Sequence, residues 1–160
     1  MPWIRLQTGN SAAGVYGTLL TLSVLVGLSA DKARPGVMVA TLAVSAAVFW
    51  IAHAHANLVA RWVSSETRPQ RRAVLDAMAR EAPMLEAAAP ALGLLLLAWI
   101  GVVSTAFAVW TSLIVGVASL VAWGVLIARS ARLGPMGIVI VAGVNLALGG
   151  LIVLLKLLVH

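Results

Sequence analysis

"AAAPALGLLLLAWIGVVSTAFAVWTSLIVGVASLVAWGVLIA", residues 87–128, contains no charged side chain. As one helix it would be about 60 Å long, roughly twice the hydrocarbon thickness of a bilayer. Such a stretch must turn back on itself. The turn is expected at "GVVSTAF", 101–107, where Gly101, Ser104 and Thr105 cluster. This splits the stretch into one span near 84–102 and another near 106–128.

The rest of the chain has the same character. Of 160 residues, 62% are hydrophobic and 10% charged, with a mean hydropathy of +1.04. Soluble domains are about half apolar and about a quarter charged, so the composition is that of a membrane protein. Cysteine is absent, which excludes disulfides, thiolate metal sites and cysteine nucleophiles. The net charge of +6 does not imply nucleic acid as a partner. No basic run carries interleaved aromatics, and Arg and Lys accumulate in the cytoplasmic loops of membrane proteins. Lys32 and Lys156 are the only lysines among many arginines, and Ala, Val, Leu and Gly dominate. That usage suits a GC-rich bacterial genome, so the expected location is a bacterial plasma membrane.

Working outward, three further spans emerge. The first covers 11–30 and ends at "DKARPG". Arg5 and the small-residue "GLSA" imitate a signal peptide, but Asn10, Gly14, Tyr16 and Gly17 interrupt its first half, so a retained helix is expected. The second covers 37–60 and closes at Arg61 and Trp62. The last covers 136–159, after "RSARLGPMG". Between the second and third spans, 67–83 reads as a cytoplasmic amphipathic helix. Thr67 and Gln70 make a capping box, Val74, Leu75, Met78 and Ala82 recur at helical spacing, and Arg72, Asp76 and Arg80 ladder another face. Arg68, Arg71, Arg72 and Arg80 are placed to meet anionic headgroups. The expected fold is all-α: a single polytopic bundle of five transmembrane helices over residues 1–160.

The distribution of cations supports five spans. With that count Arg5, Arg61, Arg68, Arg71, Arg72, Arg80, Arg129 and Arg132 share one side, eight of eleven basic residues, against Lys32, Arg34 and Lys156. The positive-inside rule then puts the amino terminus in the cytoplasm and the carboxyl terminus outside. Trp3, Trp62 and Trp123 fall at the inner interface, Trp99 and Trp110 at the outer one, as an aromatic belt would. Trp50 is the exception, expected near the midplane.

Trp50 begins a polar stripe. Trp50, His53, Asn57 and Arg61 follow 3, 4, 4 spacing and share one helical face. His55 lies about 200° round the helix from His53. The two histidines therefore do not chelate one metal, which needs i, i+4 spacing. Counted inward from Arg61, His53 lies about 12 Å along the helix, deep enough for an ionisable group to mark a pathway. Imidazole titrates near neutrality and can carry protons there. The alternative role is interhelical hydrogen bonding, which also uses buried polar side chains. Tyr16, Asn145 and Glu86 are further candidates to line such a pathway. Glu86 precedes Pro90, which lacks the amide that would bond the Glu86 carbonyl. Small-residue seams at Ala13, Gly17 and Thr21, at Gly143, Ala147 and Gly150, and more sparsely at Gly116 and Gly124 offer close helix packing.

The "GVYG" of 14–17, the "FWIAHAHA" of 49–56 and the terminal "LLKLLVH" resemble small multi-pass membrane proteins of high-GC actinobacteria. The resemblance spans most of the chain and transfers no activity. There is no HExxH, no GxSxG and no pair of embedded aspartates, so no enzyme, cofactor or metal site is expected. Two functions remain. One is an ion, proton or small-solute pathway built as a homo-oligomer, a dimer or higher, around His53 and Asn57. The other is a non-catalytic subunit of a larger membrane assembly. The topology is testable directly: a reporter fused after His160 should be active only outside the cytoplasm, and cytoplasmic activity would overturn the five-span assignment.

Overall fold

Inside an apolar slab each backbone N–H and C=O must be bonded within its own helix, because no water is there to replace the bond. The chain obeys this: among the described residues it is helical throughout, with short turns and no strand. The structure, a computed structural model, describes residues 2–65 and 71–159, with side chains from 11 onward except at 30, 64, 65 and 159. The order is α1 (Pro2–Ala30), α2 (Pro35–Ser65), α3 (Arg71–Arg80), α4 (Ala82–Trp99), α5 (Thr105–Ser130) and α6 (Pro135–Val159). Five of these, all except α3, are long and apolar enough to cross a membrane.

The chain reverses by one device used three times. After α1, the Lys32 amide bonds the Ser29 carbonyl and the Ala33 amide bonds Leu28, with Lys32 at φ 51°. After α5, Arg132 at φ 54° and Leu133 bond Arg129 and Ala128 in the same way. After α4, Gly101 at φ 81° and Val102 bond Ala98 and Leu97. Each pair satisfies carbonyls that a helix end otherwise leaves open. Ser104 then caps α5, its hydroxyl accepting from the Phe107 amide at 3.2 Å. The turn expected within 101–107 is thus present, but α4 stops at Trp99 instead of running to 102. Proline opens α2 and α6 at Pro35 and Pro135, where its missing amide costs nothing. Pro83 lies in the first turn of α4, at the corner between α3 and α4. Pro90 sits inside α4, which continues through it.

α1 occupies the middle, touching α2, α4, α5 and α6, while α2 flanks α4 and α6 flanks α5. Leu22 and Leu25 of α1, Leu42 of α2, Leu95 of α4 and Leu113 and Leu120 of α5 fill the interior. Glycine permits the closest approaches. A Cβ at Gly17 would lie 2.6 Å from the Met84 carbonyl oxygen and 2.7 Å from its Cα, so α1 and α4 meet backbone to backbone. The expected seam of Ala13, Gly17 and Thr21 is buried as a unit. The seam on α6 is different. Gly143, Ala147 and Gly150 are exposed, and the face that packs on α5 and α1 carries Asn145, Gly149 and Lys156. Spacing alone finds both faces of α6 rich in small residues and does not choose between them.

Within the stretch 67–83 the structure has a ten-residue helix, α3 (Arg71–Arg80), with a break before Ala82; the Thr67–Gln70 capping box and Arg68 lie outside the described residues. α3 buries Ala77 against α2 and leaves Arg71, Arg72, Leu75, Asp76 and Arg80 exposed.

Two ends of the bundle follow from the helix order. One carries Arg61, Arg71, Arg72, Arg80, Arg129 and Arg132, and the other carries the 31–34 and 100–104 turns and Lys156. At the second end a Cβ at Gly36 would fall 3.0 Å from Trp99 Nε1, so the start of α2 is level with the finish of α4. From that level Asn57 lies about 32 Å along α2 and Glu81 about 27 Å along α4, and the two are hydrogen-bonded. α2, at 31 residues, therefore overshoots α4 by two turns. Along α2, Trp50 is about 21 Å from the Gly36 level and about 10 Å from Asn57.

Gly17→Ala should lower thermal stability in detergent by about 1–3 kcal/mol, the cost of overpacking a close contact. Gly143→Ala, where an added Cβ meets nothing within 4 Å, should be neutral or slightly stabilising. Equal effects would contradict the α1–α4 contact.

Candidate functional site

The indole N–H of Trp50 is a donor without an acceptor function, and buried donors need partners. It donates to the Met78 carbonyl at 2.9 Å. Met78 lies in the last turn of α3, where carbonyls have no amide four residues ahead in the same helix to bond. Two turns further along α2, the Asn57 amide donates to Glu81 Oε1 at 2.8 Å. Glu81 is the single residue between α3 and α4. The two bonds grip the α3–α4 corner from one side of α2, and the acceptor of the second is a carboxylate, which strengthens it. Arg61 continues the stripe, its Nε donating to the Asn57 carbonyl at 3.2 Å.

His53, between Trp50 and Asn57, meets α1 instead. Its ring and that of Tyr16 are 5.3 Å apart between centroids and tilted by 51°, within the range of favourable aromatic pairs. Tyr16 is 60% exposed, so this pair borders the outside of the bundle. His55 leaves another face, as its spacing from His53 predicts. It lines a small recess of about 170 Å³ between α2 and α3 with Ala54, Leu58, Val74 and Met78.

The remaining candidates are dispersed. Asn145 is buried on α6, donates to the Val141 carbonyl of its own helix at 3.1 Å, and packs on α5 where a Cβ at Gly124 would fall 2.6 Å from its Nδ2. Glu86 is exposed on α4. The structure therefore brings together Trp50, His53, Asn57 and Tyr16 around the junction of α2 with α1 and α3, and leaves Asn145 and Glu86 apart. Among the described residues no three of His, Asp and Glu group closely enough to hold a metal. Of the arginines expected to meet headgroups, Arg71, Arg72 and Arg80 are exposed at one end of the molecule, and Arg80 Nε bonds the Asp76 carbonyl at 3.2 Å.

Glu81, the partner of Asn57, is not among the residues singled out from the sequence, where Glu86 is the acidic candidate. The available signal was Pro83, which marks a helix start and so places Glu81 at a corner, where a carboxylate reaches sideways. Comparison with known protein families, with characterised proteins and with solved structures finds no match.

Asn57→Ala should lower stability by about 1 kcal/mol, the scale of a net hydrogen bond, and Trp50→Phe by a similar amount. A double-mutant cycle of Asn57→Ala with Glu81→Ala should show coupling of at least about 0.5 kcal/mol. Additive losses would mean that the contact contributes nothing, and His55→Ala should change stability less than either.

Proposed function

We propose that this protein is a non-catalytic accessory subunit of a bacterial plasma-membrane assembly, with its amino terminus and arginine-rich end in the cytoplasm and its carboxyl terminus outside. The observation that carries this reading is how the polar stripe is used. Trp50 and Asn57 spend their donors on the α3–α4 corner, and Asn145 bonds its own helix on the far side of the bundle. These groups hold helices in place instead of facing one shared water path. Two features suit a partner in the membrane. The small-residue face Gly143, Ala147 and Gly150 turns outward, a surface on which a neighbouring helix packs closely. Arg71, Arg72 and Arg80 lie exposed, placed for anionic headgroups of the cytoplasmic leaflet.

A second reading, a homo-oligomeric ion or proton pathway, is favoured by one observation. The Tyr16–His53 ring pair lies at the edge of the bundle with Tyr16 exposed, so a second copy of the chain packed there would enclose a titratable group.

Flux through proteoliposomes containing this chain alone separates the two. The accessory reading expects no proton, sodium, potassium or chloride flux above that of empty vesicles, and His53→Ala altering neither flux nor, by more than about 1 kcal/mol, stability. A flux lost in His53→Ala at unchanged stability would replace it with the pathway reading, which also requires dimers or larger oligomers in nanodiscs.

A further inference from the structure

All three cations at the end opposite the arginine-rich one converge on a single cavity. It has a volume of about 550 Å³ and is lined by Lys32 and Arg34 of the first turn, by Thr105 and Trp110 of α5 and by Lys156 of α6. Of the five acidic residues of the chain, only Asp31 falls at this end, and it does not line the cavity. Lys156 is 6% exposed, because it lies on the face of α6 that carries Asn145 and Gly149. Its Nζ sits over the Trp110 ring, 4.4 Å from the centroid. That contact attracts a cation without supplying a negative charge. Enclosed ammonium groups normally have an anionic partner, since burying an uncompensated charge is costly. Lys156 has none among the described residues.

Two further features strengthen the positive character. The cavity wall includes Thr105, the first residue of α5, and a helix start presents unbonded amides and the positive end of the helix dipole. Lys32 is held at φ 51°, a conformation that glycine adopts at no steric cost and other side chains do not. A lysine at that position costs stability, and it lines the cavity.

The cavity is not isolated. An apolar groove of about 440 Å³ between α5 and α6 shares Trp110 and Leu157 with it, and continues past Leu113 and Val117 on one side and Val153 and Gly150 on the other. Positions 110 to 117 and 157 to 150 carry it about 10 Å along the helices, away from the cationic end. A cationic chamber opening into an apolar channel fits a molecule with an anionic head and a hydrocarbon tail.

We propose that this chamber and groove bind an anionic phospholipid of the adjoining leaflet, its phosphate held by Lys32, Arg34 and Lys156 and one acyl chain lying between α5 and α6. This goes beyond the accessory role and does not depend on it.

Native mass spectrometry of the full chain in detergent, titrated with phosphatidylglycerol, phosphatidylcholine and inorganic phosphate, tests the assignment. Phosphatidylglycerol should bind at least tenfold more tightly than phosphatidylcholine. Lys156→Met should abolish the preference, and Lys32→Gly, which relieves the turn while removing the charge, should reduce it severalfold, as should Arg34→Gln. Gly150→Leu, placed where an added side chain meets open space, should fill the groove and weaken phosphatidylglycerol binding. Gly143→Leu, on the same helix and outside the groove, should not. Equal binding of the two lipids, or a preference that survives the cation variants, would overturn the proposal. Displacement by equimolar inorganic phosphate would overturn the lipid assignment in favour of a soluble anion. If Lys156→Met fails to fold, Lys32→Gly and Arg34→Gln decide the matter alone, because both side chains are exposed in a turn between helices.

Discussion

A backbone amide in hydrocarbon has only its own helix to bond, and this requirement shapes every feature described above. It forbids strands with open edges and irregular chain within the apolar slab, so reversal is confined to the ends of the bundle. There the chain uses the tightest cap compatible with helical geometry, a residue at positive φ followed by a second bonded amide, after α1, α4 and α5. Only the cap at Gly101 uses glycine, and Lys32 and Arg132 take the same conformation. The same requirement acts on the corner between α3 and α4. Carbonyls left open at the end of α3 draw in the Trp50 indole of α2.

The corner explains why α2 is longer than a bilayer requires. Its residues 50–58 form the wall on which α3 rests. The hydrogen bonds from Trp50 and Asn57 are spaced along α2 so that they meet the end of α3 and the first residue beyond it. Polar residues that look out of place in an apolar helix are thus in register with a particular break in another segment. Their number and spacing serve orientation: two bonds about two turns apart fix both the position and the rotation of α3 against α2.

The two ends of the molecule have different chemistry. At one, arginines are exposed, as suits a surface in contact with water and headgroups. At the other, fewer cations line one cavity; Lys32 and Arg34 are exposed, and Lys156 is almost wholly covered by protein. Aromatic contact at Trp110 makes the enclosed ammonium tolerable without neutralising it. The packing of α6 is responsible. It presents Asn145, Gly149 and Lys156 to α5 and α1, and turns its other small residues outward.

The number of helices long enough to span a bilayer and the places where the chain turns were determined by the amino-acid sequence alone. Each depends on short-range physics: the apolar length needed to cross a bilayer, the charges that cannot enter it, and the Gly, Ser and Pro that start or end helices. The stripe at Trp50, His53 and Asn57, and the separation of His53 from His55, were legible for the same reason, since the angle between residues on one helix is a local property. Partners were not. That Asn57 meets Glu81 and that the α6 seam at Gly143 faces outward both depend on the rotation and offset of one helix against another. Those are set by side-chain packing between segments far apart in the chain, where small residues on several faces leave more than one arrangement compatible with the pattern. Lys32, Arg34 and Lys156 could be counted as charges on one side of the membrane from their positions alone. Only the docking of α6 against α5, beside the turn after α1, made them walls of one cavity.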